Sequence, residues 1–373
     1  MYADDARFCP RDGTRLETVA HAPGNPVSPP FIPAPPSSTP PPSHARVFQP
    51  LGSEPRATSQ RPGPPGAPTG KALDYSKLAG ETLDARYVVT RKIGEGGMSF
   101  VYLADDVLRK ERVAIKILSP SLSQDRTAMA RLRREAELGG KLAHPNVCHI
   151  IRLGETINGL VYVVMPFVEG ELLCDVTNRM QQLPLALTVR YITDIAAGLQ
   201  VAHELGIVHR DLKPENIMIS RGSDGSERAI VMDFGLAKER QMSAEMKKLT
   251  ATGIVLGTPE FMSPEQLRGK PLDARTDVYS LGLMAYEMLT GKLPFPGRTQ
   301  QEIMIARLKS EPTPIRAARP DLNFSPAVES VLLRSMAREP ADRFQSAPAL
   351  AAALADAAKP GGTSGVLDRI FGR

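Results

Sequence analysis

Five short strings occur in one fixed order along this chain, and together they restrict its fold more than any other property of the sequence. Gly94-Glu95-Gly96-Gly97-Met98-Ser99-Phe100-Val101 comes first, followed by Val113-Ala114-Ile115-Lys116. Then come His209-Arg210-Asp211-Leu212-Lys213-Pro214-Glu215-Asn216, Asp233-Phe234-Gly235, and Gly257-Thr258-Pro259-Glu260-Phe261-Met262-Ser263-Pro264-Glu265. The first lies between two runs that read as strands, where a Gly-rich hairpin lets backbone N–H groups approach phosphates without interference from Cβ atoms. The second sets a lysine in an apolar strand, where an unpaired ammonium is costly, so a partner is expected. Glu135, in the helical run Met129, Leu132, Ala136, is the candidate. Singly, a Gly-rich turn and a buried Lys–Glu pair are ordinary structural features.

The texture around these strings predicts an α+β chain with two lobes. Val88, Val89, Ile93, Val101, Tyr102, Val113, Ile115 and Ile117 fall in short β-branched runs broken by glycine and charge, the pattern of an antiparallel sheet. After Pro184 the period becomes helical: Val189, Ile192, Ala196 and Leu199 share one face, behind Thr188 as a candidate N-cap and ahead of Gly206 as a closing residue. Leu281, Ala285 and Met288 mark a second helix ending at Gly291. Strands first and helices afterwards imply two lobes.

Taken together, the five strings resemble the motif set of the protein kinases, and the chain from about 87 to 350 resembles a bacterial eukaryotic-like (Hanks-type) serine/threonine protein kinase. The resemblance implies a bilobal fold: an antiparallel β-sheet lobe with one helix at 87–165, a hinge at 166–170 and a mainly helical lobe at 171–350. It also implies ATP and Mg2+ as cofactors and protein Ser/Thr hydroxyls as acceptors. Nucleotide is expected against Ile93, Gly94, Glu95, Gly96, Gly97, Met98, Ser99, Val101, Ala114, Lys116, Met165, Pro166 and Val168. Ser99 replaces the third glycine of the family's loop and leaves its backbone donors intact. Met165 takes the gatekeeper position; adenine is expected on the carbonyl of Pro166 and the N–H of Val168, so a proline at 166 costs nothing.

By the same resemblance, Lys116 holds the α- and β-phosphates while paired with Glu135, and Asn216 and Asp233 supply hard oxygen ligands to the metal. Asp211 accepts the hydroxyl proton and Lys213 stabilises the moving phosphoryl group. Lys213 and Thr258 both match Ser/Thr rather than Tyr kinases. Glu265 is expected to pair with Arg343, Asp277 to accept backbone hydrogens from the catalytic loop, and His209 to pack on Phe234 without acting as a base. Arg210 before Asp211 goes with control by phosphorylation of the activation loop. Thr250 and Thr252 are the candidate autophosphorylation sites, the phosphate to be gripped by Arg210, Lys238 and the run Arg131, Arg133, Arg134. Such phosphorylation can occur in trans, in a transient dimer. A pseudokinase scaffold is disfavoured because Lys116, Glu135, Asp211, Asn216 and Asp233 are all present. A small-molecule phosphotransferase is disfavoured by the full segment through Pro264-Glu265.

Composition supports this reading by exclusion. With 42% hydrophobic and 23% charged residues, collagen-like, coiled-coil and fully disordered chains drop out. A net charge of +5 suits an anionic ligand and does not point to nucleic acid. Three cysteines, Cys9, Cys148 and Cys174, form no CxxC pair, and the odd count speaks for a reducing compartment. MYADDARF has no signal-like build and no stretch reaches transmembrane length, so a cytoplasmic protein is expected.

The flanks carry less. Arg7-Phe8-Cys9-Pro10-Arg11-Asp12-Gly13-Thr14 looks like the second knuckle of a zinc ribbon with Asp12 in place of a cysteine, so 1–20 reads as a degenerate half-ribbon that holds no zinc. Residues 21–70 contain 16 of the 34 prolines, and 21–80 reads as a disordered linker of polyproline II character. Residues 351–373, Ala-rich and then Gly-rich, read as a flexible tail.

Overall fold

A computed structural model describes residues 77–96, 99–118, 126–157, 159–222, 224–234 and 259–359. All of them fall in the second of the two units into which the chain divides, Gly70–Arg373. The half-ribbon, most of the proline-rich stretch, Gly97, Met98, Gly235, Lys238, Thr250, Thr252, Thr258 and residues 360–373 lie outside the described residues.

The β-branched runs form a six-stranded antiparallel sheet. Its strands are β1 (Thr82–Leu83), β2 (Tyr87–Gly96), β3 (Ser99–Asp106), β4 (Glu111–Leu118), β5 (Arg152–Glu155) and β6 (Val161–Pro166), in the order β1-β2-β3-β4-β6-β5. Successive side chains of a strand point to opposite faces, and β4 uses this cleanly. Val113, Ile115 and Ile117 join one apolar cluster with Tyr87, Tyr102 and Tyr162. Ala114 and Leu118 face the other way, against Met129, Leu132 and Ala136 of helix α1 (Arg126–Gly139). Lys116 shares that second face by register, so a charged residue in an apolar strand is aimed at α1 and the space beneath it.

The packed chain starts earlier than the composition suggests. Leu78, inside the stretch expected to be linker, is fully buried in the sheet cluster. The reason is local: Gly80 adopts a positive φ of 89° and donates its N–H to Val89, and β1 then pairs with β2 ahead of Tyr87.

After residue 170 the chain is helical around a small sheet, β7 (Glu171–Leu172), β8 (Ile217–Arg221) and β9 (Glu227–Val231), in that order. The helices are α2 (Leu173–Met180), α3 (Leu185–Glu204), α4 (Pro264–Leu267), α5 (Ala274–Thr290), α6 (Gln300–Lys309), α7 (Ile315–Ala318), α8 (Pro326–Ser335) and α9 (Ala347–Ala357). Among the described residues no helix is long and apolar enough to cross a membrane. Helix α5 is buried on every side from Thr276 to Tyr286, as a helix through the middle of a core must be. Gly206 and Gly291, both at positive φ, follow α3 and α5 as expected.

Two expectations require correction. Thr188 does not cap α3: the helix opens at Leu185, because the Pro184 carbonyl accepts the Thr188 N–H and Thr188 itself is buried one turn inside. Nor does the flexible tail begin at 351. Ser346 caps α9, and Ala351, Leu354 and Ala357 are buried against the core. Alanine is the strongest helix former, and its small side chain lets α9 pack closely on its neighbours, so the Ala-rich composition marks a packed helix.

Candidate active site

Lys116 emerges from β4 toward the residues that follow β9. Its ammonium lies 2.7 Å from Asp233 Oδ2, with both side chains half-buried. Asp233 adopts a left-handed backbone, φ 52°, which turns its carboxylate back toward the sheet. Glu135 is the partner expected for Lys116; the ion pair found for it among the described residues is with Asp233. A half-buried ammonium binds whichever carboxylate the surrounding backbone presents to it, and here the turn at Asp233 does so. Glu135 borders a cavity of about 460 Å3 that it shares with Leu138, Cys148, Met165, Asp233 and Phe234.

The loop between α3 and β8 carries the second group. Asn216 donates from Nδ2 to both the backbone carbonyl and the carboxylate of Asp211, at 2.7 and 2.8 Å. Lys213 Nζ stands 3.7 Å from the same Asp211 Oδ2. Met232 N–H binds the Asn216 carbonyl at 2.8 Å, and this bond sets Asp233, the next residue, beside Asn216. The loop is held from below by Asp277 of α5, which is fully buried. Asp277 accepts the His209 N–H at 2.8 Å and the Arg210 N–H at 3.1 Å, as expected, and also contacts His203 Nε2 at 2.7 Å.

His209 packs edge-on against Phe234 with ring centroids 5.0 Å apart. Its Nε2 faces the Met232 carbonyl at 2.8 Å, which can only accept, so Nε2 carries the proton. Nδ1 then accepts the Asp211 N–H at 3.3 Å. Both ring nitrogens are committed, and the histidine orients the loop rather than exchanging protons.

Near the end of β6, Met165 is buried beside Ala114, its partner across the β4–β6 pair. Ile93, Val101 and Val168 pack on the same apolar cluster. Gly94, Glu95 and Gly96 close β2 and Ser99 opens β3. The thiol of Cys148 lies 3.7 Å from the Pro166 carbonyl, and burial pushes that thiol up to about 12. Of the residues proposed to grip a phosphate, Arg210 and Arg134 line the same cavity. Arg133 turns away to Glu155, at 3.1 Å.

The segment after Thr258 is anchored by charge. Arg343 is fully buried and forks onto Glu265 with two bonds of 2.7 Å, while Thr276 donates to the same carboxylate. Burial raises the Glu265 pKa, but Arg343 outweighs it and the net shift is downward. Ser263 and Gln266 form a capping box on α4, and Gln266 Nε2 reaches the Arg210 carbonyl at 2.7 Å.

One carboxyl that the motif reading missed is Glu287, an acid within the apolar run of α5, which is itself the signal that could have found it. Its Oε2 is enclosed with no hydrogen-bond partner among the described residues. Burial, then Glu215 and Glu260, push its pKa to about 7. The folded protein therefore holds a proton there that the unfolded chain has lost, so stability falls as pH rises from the ordinary carboxylate range through about 7. Glu287→Gln removes this penalty. Urea unfolding midpoints of variant and parent are expected to be similar near pH 5 and to separate by pH 8, with the variant more stable by on the order of 3 kcal/mol. Equal midpoints at both pH values would contradict the assignment.

Comparison with known proteins places this geometry among relatives. The protein kinase domain family pattern matches residues 87–354. Serine/threonine-protein kinase pkn3 of Myxococcus xanthus is 38% identical over 281 residues, which is 75% of this chain and 51% of that protein. PknB of Mycobacterium tuberculosis is 37% identical over 275 residues, 73% of this chain and 43% of that one. The chain thus spans about half the length of the curated relatives it matches. Among solved structures, the kinase domain of Mycobacterium tuberculosis PknI aligns with a TM-score of 0.58 at 29% identity, covering 77% of this chain and 100% of that one.

Proposed function

The chain belongs to the protein kinase family, with a kinase domain of the bacterial serine/threonine type, and from that premise we propose that it transfers the γ-phosphoryl group of ATP to serine and threonine hydroxyls of proteins in the cytoplasm. The observation that carries this reading is the convergence of Lys213 and Asn216 on the Asp211 carboxylate, with Asp233 and Lys116 adjoining through Met232.

The family uses ATP and a divalent metal, and the residues present fit Mg2+. Asn216 commits its amide N–H2 to Asp211 and keeps Oδ1 as an acceptor, and Asp233 offers a carboxylate next to it; both are hard oxygen donors of the type Mg2+ takes. When bound, the metal neutralises charge on the transferring phosphates. With Asp233 engaged by the metal, Lys116, now 2.7 Å from Asp233 Oδ2, would be left to serve the α- and β-phosphates. Asp211, oriented by Asn216, takes the proton from the acceptor hydroxyl as the new O–P bond forms, the β–γ bridging bond breaks and ADP leaves. Lys213 places positive charge where the phosphoryl group passes. Ile93, Val101, Ala114 and Met165 supply an apolar adenine site, closed by the backbone of Pro166 and Val168.

Thr250 and Thr252 are proposed to be phosphorylated by a second copy of the chain. A phosphothreonine adds about −1.5 to −2 charges, which Arg210 and Arg134 on their shared cavity wall can bind. Thr250→Ala, Thr252→Ala protein is expected to phosphorylate a separate Ser/Thr peptide about tenfold more slowly than the parent. Wild-type autophosphorylation is expected to accelerate with protein concentration. A double variant as active as wild type, or a rate independent of concentration, sinks this regulatory reading. The function itself is tested by phosphoamino-acid analysis of a peptide incubated with ATP and Mg2+. Phosphoserine or phosphothreonine is expected; phosphotyrosine alone, or no product, would overturn the proposal.

A further inference from the structure

Arg307 lies on α6, outside every motif discussed so far, and is 1% exposed. Its guanidinium is directed at backbone. Nη1 donates to the Met262 carbonyl at 2.9 Å and Nη2 to the Glu260 carbonyl at 2.6 Å. Between them, the Phe261 carbonyl accepts from Ser280 Oγ of α5 at 2.8 Å. Three successive carbonyls, 260 to 262, are thus bound inward by side chains from two helices. The other side of the guanidinium rests over the Phe295 ring, 5.6 Å from its centroid.

Burying a guanidinium is costly, and an apolar side chain would join α6 to this turn more cheaply. What an apolar residue cannot do is fix the direction of two carbonyls two positions apart, Glu260 and Met262. The planar fork does this, because its donors are rigidly related to one another. The turn so fixed matters for position. It directly follows Thr258, its Glu260 carboxyl is within electrostatic reach of Glu215 and Lys213, and α4 just beyond holds the Arg210 carbonyl through Gln266. One face of the 259–262 turn is therefore locked to α5 and α6, and its Glu260 carboxyl feels Glu215, Arg307 itself and then Lys213.

We propose that Arg307 is a positioning residue for the polypeptide acceptor: by clamping the Glu260 and Met262 carbonyls it sets the surface on which the acceptor lies relative to Asp211. The inference rests on the kinase reading above. It acts through the turn, so it affects the protein substrate and leaves the nucleotide site alone.

The test compares steady-state kinetics of the full chain with Arg307→Met, which keeps an unbranched apolar stem but has no donors, and with Arg307→Lys, which keeps the charge on one donor nitrogen in place of the fork. Arg307→Met is expected to raise the peptide KM by tenfold or more and the ATP KM by less than twofold; Arg307→Lys recovers part of the loss. Should Arg307→Met fail to fold, Arg307→Lys and Ser280→Ala, which frees only the Phe261 carbonyl, carry the test and must each raise the peptide KM selectively. A peptide KM unchanged in these variants, or both KM values raised together, overturns the positioning role. If wild type itself phosphorylates no peptide, it is the kinase reading that fails.

Discussion

Asp211→Asn protein is expected to lose about a thousandfold in phosphoryl transfer to peptide while still folding and binding nucleotide. The substitution preserves shape and keeps a group for Asn216 Nδ2, which lies 2.8 Å from Asp211 Oδ2, but removes the carboxylate that accepts the hydroxyl proton. Asp233→Ala is expected to lose at least as much for another reason: it deletes the proposed metal ligand, which is also the carboxylate 2.7 Å from Lys116. The two variants separate in nucleotide affinity. Asp211→Asn leaves the metal ligands in place and binds MgATP as the parent does, whereas Asp233→Ala shows little dependence of ATP binding on Mg2+. Titration of a fluorescent ATP analogue with and without Mg2+ distinguishes them. Activity of either variant within a few fold of wild type would remove that residue from the mechanism.

The largest stability effect is expected at Arg343. Its guanidinium is fully buried, bound twice to Glu265, and donates further to the Ala337, Arg338 and Arg275 carbonyls. Removing it strands a buried carboxylate, and breaking such a pair costs about 3–5 kcal/mol, a large share of what holds a domain folded. Arg343→Ala should therefore lower the urea midpoint sharply. Glu265→Gln, Arg343→Met together should cost less than the sum of the single changes, since the double change leaves no unpaired charge. The pH sign follows from the lowered pKa of Glu265. The pair contributes stability above the ordinary carboxylate range and loses it as pH falls through the depressed folded value, so parent and Arg343→Ala converge in acid. Additive costs in the double variant would show that the pair is not coupled.

Much of the site is legible in the sequence because the motifs are local. HRD-x4-N brings Asp211, Lys213 and Asn216 together within one short loop, and the supporting contacts of Asp277, Glu265 and His209 followed from the family resemblance. What the sequence did not reveal is decided by long-range geometry or by composition read too coarsely. The partner of Lys116 depends on the backbone turn at Asp233, 117 residues away, which no local pattern encodes. Alanine richness misled at α9, where helix propensity and close packing outweigh low complexity, and proline richness upstream hid the fully buried Leu78. Arg307 reads in sequence as an ordinary basic residue in the last turn of α6, and only the fold shows its charge spent on two carbonyls.

The most direct measurement is the intact mass of the purified chain, dephosphorylated and then incubated with MgATP, beside Asp233→Ala treated identically. Wild type is expected to gain mass in single-phosphate steps that map to Thr250 or Thr252, and the variant to gain none. Nucleotide binding with no mass gain in either protein would contradict an autophosphorylating kinase and leave a nucleotide-binding scaffold in its place.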